Sequence, residues 1–353
     1  LKKSDFHEKI EKILLINLGG IGDVLLSIPA MRALYKKYPK TTMDLLTVPR
    51  SPDTIDNSPY PTSIITFSGS PASKLKLLWL LRRERYDVAI NMRSLNSSAG
   101  ALKMWLLLSF LAPRIRAGRD TEKRGFFYDV KVPESYKCAR HEMEYCLDLA
   151  ARLGATYRDT RMDYRLTCED MAYADAFLKD NGVTDTNAVI GISAGAPWPA
   201  KRWPLERFVE VARKLSEAGL RVLITGSEDE RYLEKAFAEK DMRIISAVGR
   251  TSVRQLIALI KRCSVFLSND TGPMHIAAVV GTPVVAVFGS SHLKGFDPRK
   301  ITDSAVVFKG EAECSPCERK FCPSMKCFDS IKPEEVTAAC FELLEKAGDR
   351  KSE

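Results

Sequence analysis

The chain has 353 residues, 45% of them hydrophobic, with 54 Lys+Arg against 45 Asp+Glu and nine cysteines. Such a length suits two domains of ordinary size, each with its own core. The odd, mostly scattered cysteines argue against a disulfide framework and fit a reducing, cytoplasmic compartment, and no uncharged apolar stretch reaches the roughly 20 residues needed to span a bilayer.

In chain order, the opening "LKKSDFHEKIEKILLINL" places lysines before an apolar run, but Asp5, Glu8 and Glu11 interrupt it, so it reads as the approach to a strand and not as a signal peptide. Short β-rich runs then alternate with helix-period segments: "ILLINL" and a helix over 22–38; "MDLLTV" and a Pro/Ser loop; "SIITF" and 73–85; "DVAINM" and 97–111; then a helix over 141–153 and an extended "MDYRL". A second series follows, with "AVIGIS", 204–218, "RVLITG", 229–239, 252–261, "SVFLSND", 272–280 and "PVVAVFG". Alternation of this kind is the signature of parallel βαβ units. The expected class is α/β, two Rossmann-like domains facing a cleft, divided as 1–168 and 169–353 with ligands at the carboxyl ends of the strands.

Charge is unevenly placed. Residues 1–165 hold 28 Lys+Arg against 18 Asp+Glu, and residues 74–131 hold thirteen against five, interleaved with "LKLLWLLRR" and "LKMWLLLSFLAPRIR". Any one of these helices can be amphipathic with a solvated basic face. Together they suggest an anionic partner, whether membrane surface, acidic glycolipid or nucleic acid.

The turn after the first strand carries Gly19, Gly20 and Gly22 and then Asp23. Leu25 occupies the third glycine position of a dinucleotide fingerprint, and no Walker lysine is present. The glycines allow close ligand approach, but Asp23 would repel phosphate, so a neutral hydroxyl is the better guest. Helix cap and general base both suit Asp23 on spacing, and the rest of the cleft favours the base. In "SNDTGPMHIAAVVGTP", Asp270 and Thr271 offer capping side chains, Gly272 allows close approach and Pro273 suits the first turn, so the helix N-terminus reads as a diphosphate site; an ordinary crossover is the competing reading. His275 in that turn either packs locally or touches the ligand.

"ISAGAPWPAKRWPLERF" joins a strand to a helix through a rigid loop bearing Lys201 and Arg202, suited to a leaving diphosphate, with Arg202 alternatively solvated and Trp198 and Trp203 read as loop packing. Its "GISAG" matches a serine-hydrolase elbow around Ser193, yet Pro197 and Pro199 delay the helix that an elbow requires. Glu228, Asp229 and Glu230 in "ITGSEDE" offer a ribose acceptor or simply an acidic helix start. Neither Asp-x-Asp nor His-Glu-x-x-His occurs, so a cationic loop and a helix dipole are expected to stand where a metal otherwise would. Cys314, Cys317, Cys322 and Cys327, spaced C-x2-C-x4-C-x4-C, are either a structural zinc or iron-sulfur site or a compact loop of free thiols.

"GGIGDVLLSIPAMRALYKKYP", "KRWPLERF", "ITGSEDE" and "SNDTGPMHIAAVVGTPVVAVFG", in that order, resemble glycosyltransferase family 9, the ADP-heptose:lipopolysaccharide heptosyltransferases, over residues 13–345. The resemblance implies a GT-B fold and an inverting, metal-independent transfer that needs no cofactor. An ADP-sugar donor would lie on the C-terminal domain and an anionic glycolipid acceptor on the N-terminal one, at the inner face of the cytoplasmic membrane. Carried onto matching positions, it makes Asp23 the general base; Lys201, Glu228, Asp270, Thr271, Gly272 and His275 the donor site; and Gly20, Gly22 and Arg93 the acceptor site. The role of the four cysteines does not follow from it. A rival reading is a nucleotide- or nucleic-acid-binding interaction protein with a cysteine metal site, although no zinc-knuckle, RNA-recognition or helix-turn-helix signature is present.

Overall fold

The computed structural model describes residues 10–49, 51–56, 58–135, 139–184, 186–238 and 244–349. Asp5, Glu8 and the last residue of the helix expected over 229–239 lie outside them. The chain divides into two compact units, Leu1–Asp163 and Tyr164–Glu353. Arg32 explains why the first unit keeps residues up to 163: its guanidinium is buried and donates to the carbonyls of Asp159 and Arg161 and to the Asp163 carboxylate. Beyond the division, Asp170 is held by Arg254 of the second unit.

Unit 1 runs β1 (Lys12–Asn17), α1 (Ile21–Leu25), α2 (Ile28–Lys37), β2 (Thr42–Thr47), β3 (Ser63–Thr66), α3 (Pro71–Arg83), β4 (Val88–Asn91), α4 (Ser98–Leu111), β5 (Ile115–Thr121), β6 (Val130–Glu134) and α5 (Glu142–Arg152). Its sheet is parallel throughout, in the order β3-β2-β1-β4-β5-β6. Unit 2 runs α6 (Cys168–Asp180), β7 (Val189–Ser193), α7 (Leu205–Glu217), β8 (Arg221–Ile224), α8 (Tyr232–Ala236), β9 (Ile244–Ser246), α9 (Val253–Arg262), β10 (Val265–Asn269), α10 (Gly272–Val280), β11 (Val284–Phe288), α11 (Leu293–Phe296), β12 (Ala305–Lys309) and α12 (Pro333–Asp349). Its parallel order, β12-β11-β10-β7-β8-β9, repeats that of unit 1 with the strands renumbered.

Central strands covered on both faces read as continuous apolar runs. Ile13, Leu14, Leu15 and Ile16 of β1 are fully buried, as are Val284, Val285, Ala286, Val287 and Phe288 of β11. Local signals set the helix starts: the hydroxyls of Ser70, Ser97, Thr167 and Ser252 accept the N–H groups of Ser73, Gly100, Asp170 and Gln255.

One expectation changes, and two strands are added. The helix expected over 22–38 is two helices, because Pro29 has no N–H to give the turn before it, and Ser27 instead turns its hydroxyl onto the Val24 carbonyl at 2.6 Å. The extended segment 162–166 joins neither sheet. Strands β5 and β6 carry too much charge to be read as strands from sequence. Arg119 of β5 is fully buried and is satisfied there by Glu134 of β6 and Glu142 of α5. Pro133 is tolerated because β6 is the edge strand.

Candidate functional site

In a doubly wound sheet the two central strands send their connections to opposite faces, leaving a crevice at their carboxyl ends. Each unit has one such point, between β1 and β4 in unit 1 and between β7 and β10 in unit 2.

At the first, the glycine turn leads straight into α1. Asp23 stands in the first turn of that helix and accepts the Gly20 N–H at 2.8 Å through Oδ2, while Oδ1 pairs with the Arg93 guanidinium from the loop after β4. Cap and charge partner thus use different oxygens. The glycine that sterics demand is Gly19: a Cβ there would sit 2.5 Å from the Asp23 carboxylate. Asp23 is 17% exposed and Arg93 29%, so both remain open to a ligand.

Two asparagines that end the central strands organise these loops, and sequence reading missed both. Asn17 accepts the Gly19 N–H and donates to the Asp23 carbonyl at 2.9 Å. Asn91 accepts the Arg93 N–H and donates to the Arg93 carbonyl and to the Tyr128 hydroxyl at 2.8 Å. A polar residue closing an apolar run was the available signal. Beside them, Leu18, Asn91, Arg93, Ser94, Leu95, Asn96, Gly100 and Met104 line a pocket of about 130 Å³.

At the second point, Lys201 comes from the 3-10 turn Pro199–Lys201 after β7 and meets Asp270, just beyond β10, at 2.6 Å. Asp270 is 3% exposed. Burial alone would raise its carboxyl, but the Lys201 ammonium outweighs that and holds it below the usual carboxylate range. The ammonium also lies 5.2 Å from the Trp198 ring and 5.7 Å from that of Phe296, which carry the loop's apolar side. Asn269 clamps the same loop, its amide donating to the Ala194 carbonyl and its oxygen accepting the Trp203 N–H.

The expectation that Asp270 and Thr271 cap α10 is corrected. Asp270 is committed to Lys201, the Thr271 hydroxyl donates to the Asn269 carbonyl at 3.3 Å, and no side chain caps the helix. Helix α10 thus begins at Gly272 with no side-chain cap hydrogen bond on its N-terminal dipole. His275 is buried in its first turn, edge-on to Phe296 at 6.0 Å between centroids. Arg202 is not simply solvated, since it donates to the Ala196 carbonyl at 2.8 Å. Ser193 ends β7 with the next α-helix starting only at Leu205, which removes the elbow geometry.

Of the acids after β8, Glu228 is exposed and held by Arg231, whose hydrogen bond lowers its carboxyl from the ordinary value. Glu230 accepts the Ser227 N–H at 2.8 Å and abuts Gly195 in the β7 loop, where a Cβ would lie on its carboxylate. Glu228 in turn abuts Gly249, in the next loop along. Cys314 is exposed, and Cys317, Cys322 and Cys327 are half-buried free thiols. Among the described residues no group of three or more His, Cys, Asp or Glu is arranged to hold a metal ion. No helix among them is long and apolar enough to cross a membrane.

Residues 75–327 match the sequence model of glycosyltransferase family 9 (heptosyltransferase). The chain is 26% identical over 326 residues to lipooligosaccharide heptosyltransferase 2 of Campylobacter jejuni, covering 90% of this chain and 94% of that one. Among solved structures, that of Escherichia coli ADP-heptose lps heptosyltransferase II superposes with a TM-score of 0.75 at 22% identity, covering 95% of this chain and 99% of that one. The glycosyl transferase family 9 protein from Veillonella parvula gives 0.79 at 22% identity, with 97% and 99% covered. These likenesses show the shared α/β fold of the GT-B type.

Proposed function

We propose, from the premise that this chain belongs to glycosyltransferase family 9 and is a glycosyltransferase, that it transfers heptose from ADP-heptose to the inner core of lipopolysaccharide by a single inverting displacement that needs no metal. Relatives named as lipooligosaccharide and lipopolysaccharide heptosyltransferases support the donor and acceptor classes. The observation that carries the reading is the pair of charge arrangements at the two strand crevices, an accessible carboxylate on a glycine turn in unit 1 and a lysine beside an uncapped helix N-terminus in unit 2.

In this reading unit 1 takes the acceptor and unit 2 the donor. Asp23 receives the proton of an acceptor hydroxyl as its oxygen attacks the anomeric carbon of the donor. The bond from that carbon to the β-phosphate oxygen breaks, and ADP departs with the electron pair. Gly20 and Gly22 allow the sugar to approach Asp23. Arg93 meets an anionic group of the acceptor, and in turning to it releases the Asp23 oxygen that it covers in the free protein.

On the donor side Lys201 and the first-turn amides at Gly272 take the diphosphate. An ammonium has three donors, of which Asp270 engages one, and the pairing fixes its position before the charge develops. Thr271 and His275 border that helix start, and Glu228, with Asp229 and Glu230 beside it, offers a carboxylate to the ribose hydroxyls. The reaction takes place at the inner face of the cytoplasmic membrane, where the protein lies peripherally.

A panel of nucleotide sugars tests this. ADP-heptose should raise the melting temperature most and be consumed in the presence of core oligosaccharide, with initial rates unchanged by EDTA. Stabilisation by UDP-sugars alone, or EDTA inhibition reversed by magnesium, would refute the donor or the metal-free mechanism respectively.

A further inference from the structure

Helices α3 and α4 of unit 1 carry an apolar surface that the fold leaves uncovered. Apart from Lys103 and two serines, helix α4 is apolar on every side, a pattern found where every face is covered. Its inner side is covered: Ala101, Leu108 and Leu111 join Leu81 of α3 in the core that includes Leu14 and Ile16 of β1. Its outer side is not. Leu75, Trp79 and Leu80 of α3 and Leu102, Trp105 and Leu106 of α4 are 37% to 62% exposed. They are six of the eleven most exposed large apolar side chains among the described residues. A concentration of this kind on two neighbouring helices marks a surface that meets something apolar.

The charges on the same helices say what that is. Lys74, Lys76, Arg82, Arg83 and Lys103 are their only ionisable residues of either sign. Arg83 lies over the Trp79 ring at 4.6 Å, and Arg82 lies over Phe110 and donates to its carbonyl, tying the end of α3 to the end of α4. Basic heads above indole rings and leucines match a leaflet interface, where anionic headgroups lie over acyl chains. The charges of these helices are all of one sign, the complement of an anionic headgroup layer.

We propose that the α3–α4 face docks on an anionic phospholipid leaflet, with the exposed tryptophans and leucines entering the headgroup boundary and the lysines and arginines pairing with lipid phosphates. This rests on the glycolipid-acceptor reading above and deepens it. Gly100 and Met104 of α4 line the pocket beside Arg93, so one helix borders both the acceptor pocket and the docking face. An acceptor held in the leaflet by its acyl chains then presents its sugars where the pocket opens.

The test is flotation of the full chain with vesicles of phosphatidylcholine, alone or mixed with phosphatidylglycerol. The protein should float with the mixed vesicles and be released by salt. Lys74→Gln/Lys76→Gln/Lys103→Gln should weaken this by roughly a hundredfold. Trp79→Ser/Trp105→Ser should weaken it by about tenfold or more even at low salt. Both variants should keep the wild-type melting temperature and the wild-type rate on a water-soluble core oligosaccharide that lacks acyl chains. Equal flotation with both vesicle types, or flotation untouched by either set of substitutions, overturns the proposal. Self-association of the wild-type chain in sedimentation, abolished by Trp79→Ser/Trp105→Ser, overturns it in favour of a second copy. The two readings fail separately: wild-type turnover on the soluble acceptor without flotation refutes the docking face alone, and flotation without any heptosyl transfer refutes the acceptor reading alone.

Discussion

The two units place an aspartate against a cation at the same point of the same sheet order, but with the roles of the loops exchanged. In unit 1 the acid follows the first strand and the cation comes from beyond β4. In unit 2 the cation follows the first strand and the acid comes from beyond β10. Burial separates them further. Asp23 is 17% exposed, on a glycine turn that leaves room for a guest, whereas Asp270 is 3% exposed and sealed by Lys201. An accessible carboxylate can exchange its partner for a substrate proton. A buried one cannot leave its partner without a large electrostatic cost, so it serves to hold the lysine. In the proposed mechanism the same pair of charges is therefore a reactive group in one unit and a rigid mount in the other.

The strongest way to break this contrast is Asp23→Asn. The amide oxygen still accepts the Gly20 N–H, so the melting temperature should hardly move, while transfer should slow by about 10²- to 10⁴-fold as the proton acceptor is lost. Donor binding, measured by titration with ADP-sugar, should be unaffected. Near-wild-type turnover by a folded Asp23→Asn protein would make Asp23 a helix cap and nothing more.

Lys201→Ala should act the other way, on stability as well as donor binding. It strands the buried Asp270 carboxylate, at a cost of about 3 kcal/mol in chemical denaturation at neutral pH. In the wild type the carboxyl of Asp270 is depressed, so its contribution is fully present above the unfolded value of about 4 and is lost as pH falls through the folded value. Without Lys201, burial raises that carboxyl, and the variant is penalised at neutral pH but relieved once the group is protonated. The stability gap between the two proteins should therefore begin to close above a pH of about 4, as the variant's raised carboxyl takes up its proton, and go on closing below it as the wild-type pair is lost. A gap independent of pH would mean that Lys201 does not govern Asp270.

Asn269→Ala sharpens the comparison on a smaller scale. It leaves the buried Trp203 N–H and Ala194 carbonyl without their partner and should cost about 2 kcal/mol, with a weaker affinity for ADP-sugar as the Lys201 loop loosens. Loss of stability with unchanged affinity would separate the clamp from the donor site.

Much of this was legible in the sequence because the signals involved are local. Continuous apolar runs gave β1, β4, β7, β10 and β11, and the glycines before Asp23 gave the turn from which α1 starts. Each of these depends on residues within a few positions of one another. The four quoted motifs carried the family for the same reason.

What only the tertiary structure decided depends on residues far apart in the chain. Lys201 meets Asp270 across 69 positions, and Arg93 meets Asp23 only because β4 lies beside β1 in the sheet. Asn17, Asn91 and Asn269 look like ordinary polar residues after a strand until the loop folds back onto their amides. Arg119 is the extreme case. In sequence it marks β5 as surface, since burying a lone guanidinium is prohibitive; once β6 and α5 bring Glu134 and Glu142 to it, the charge is satisfied in place and the strand can be internal. A sequence lists its charges, but whether one faces water or an opposite charge is set by the order in which strands pair.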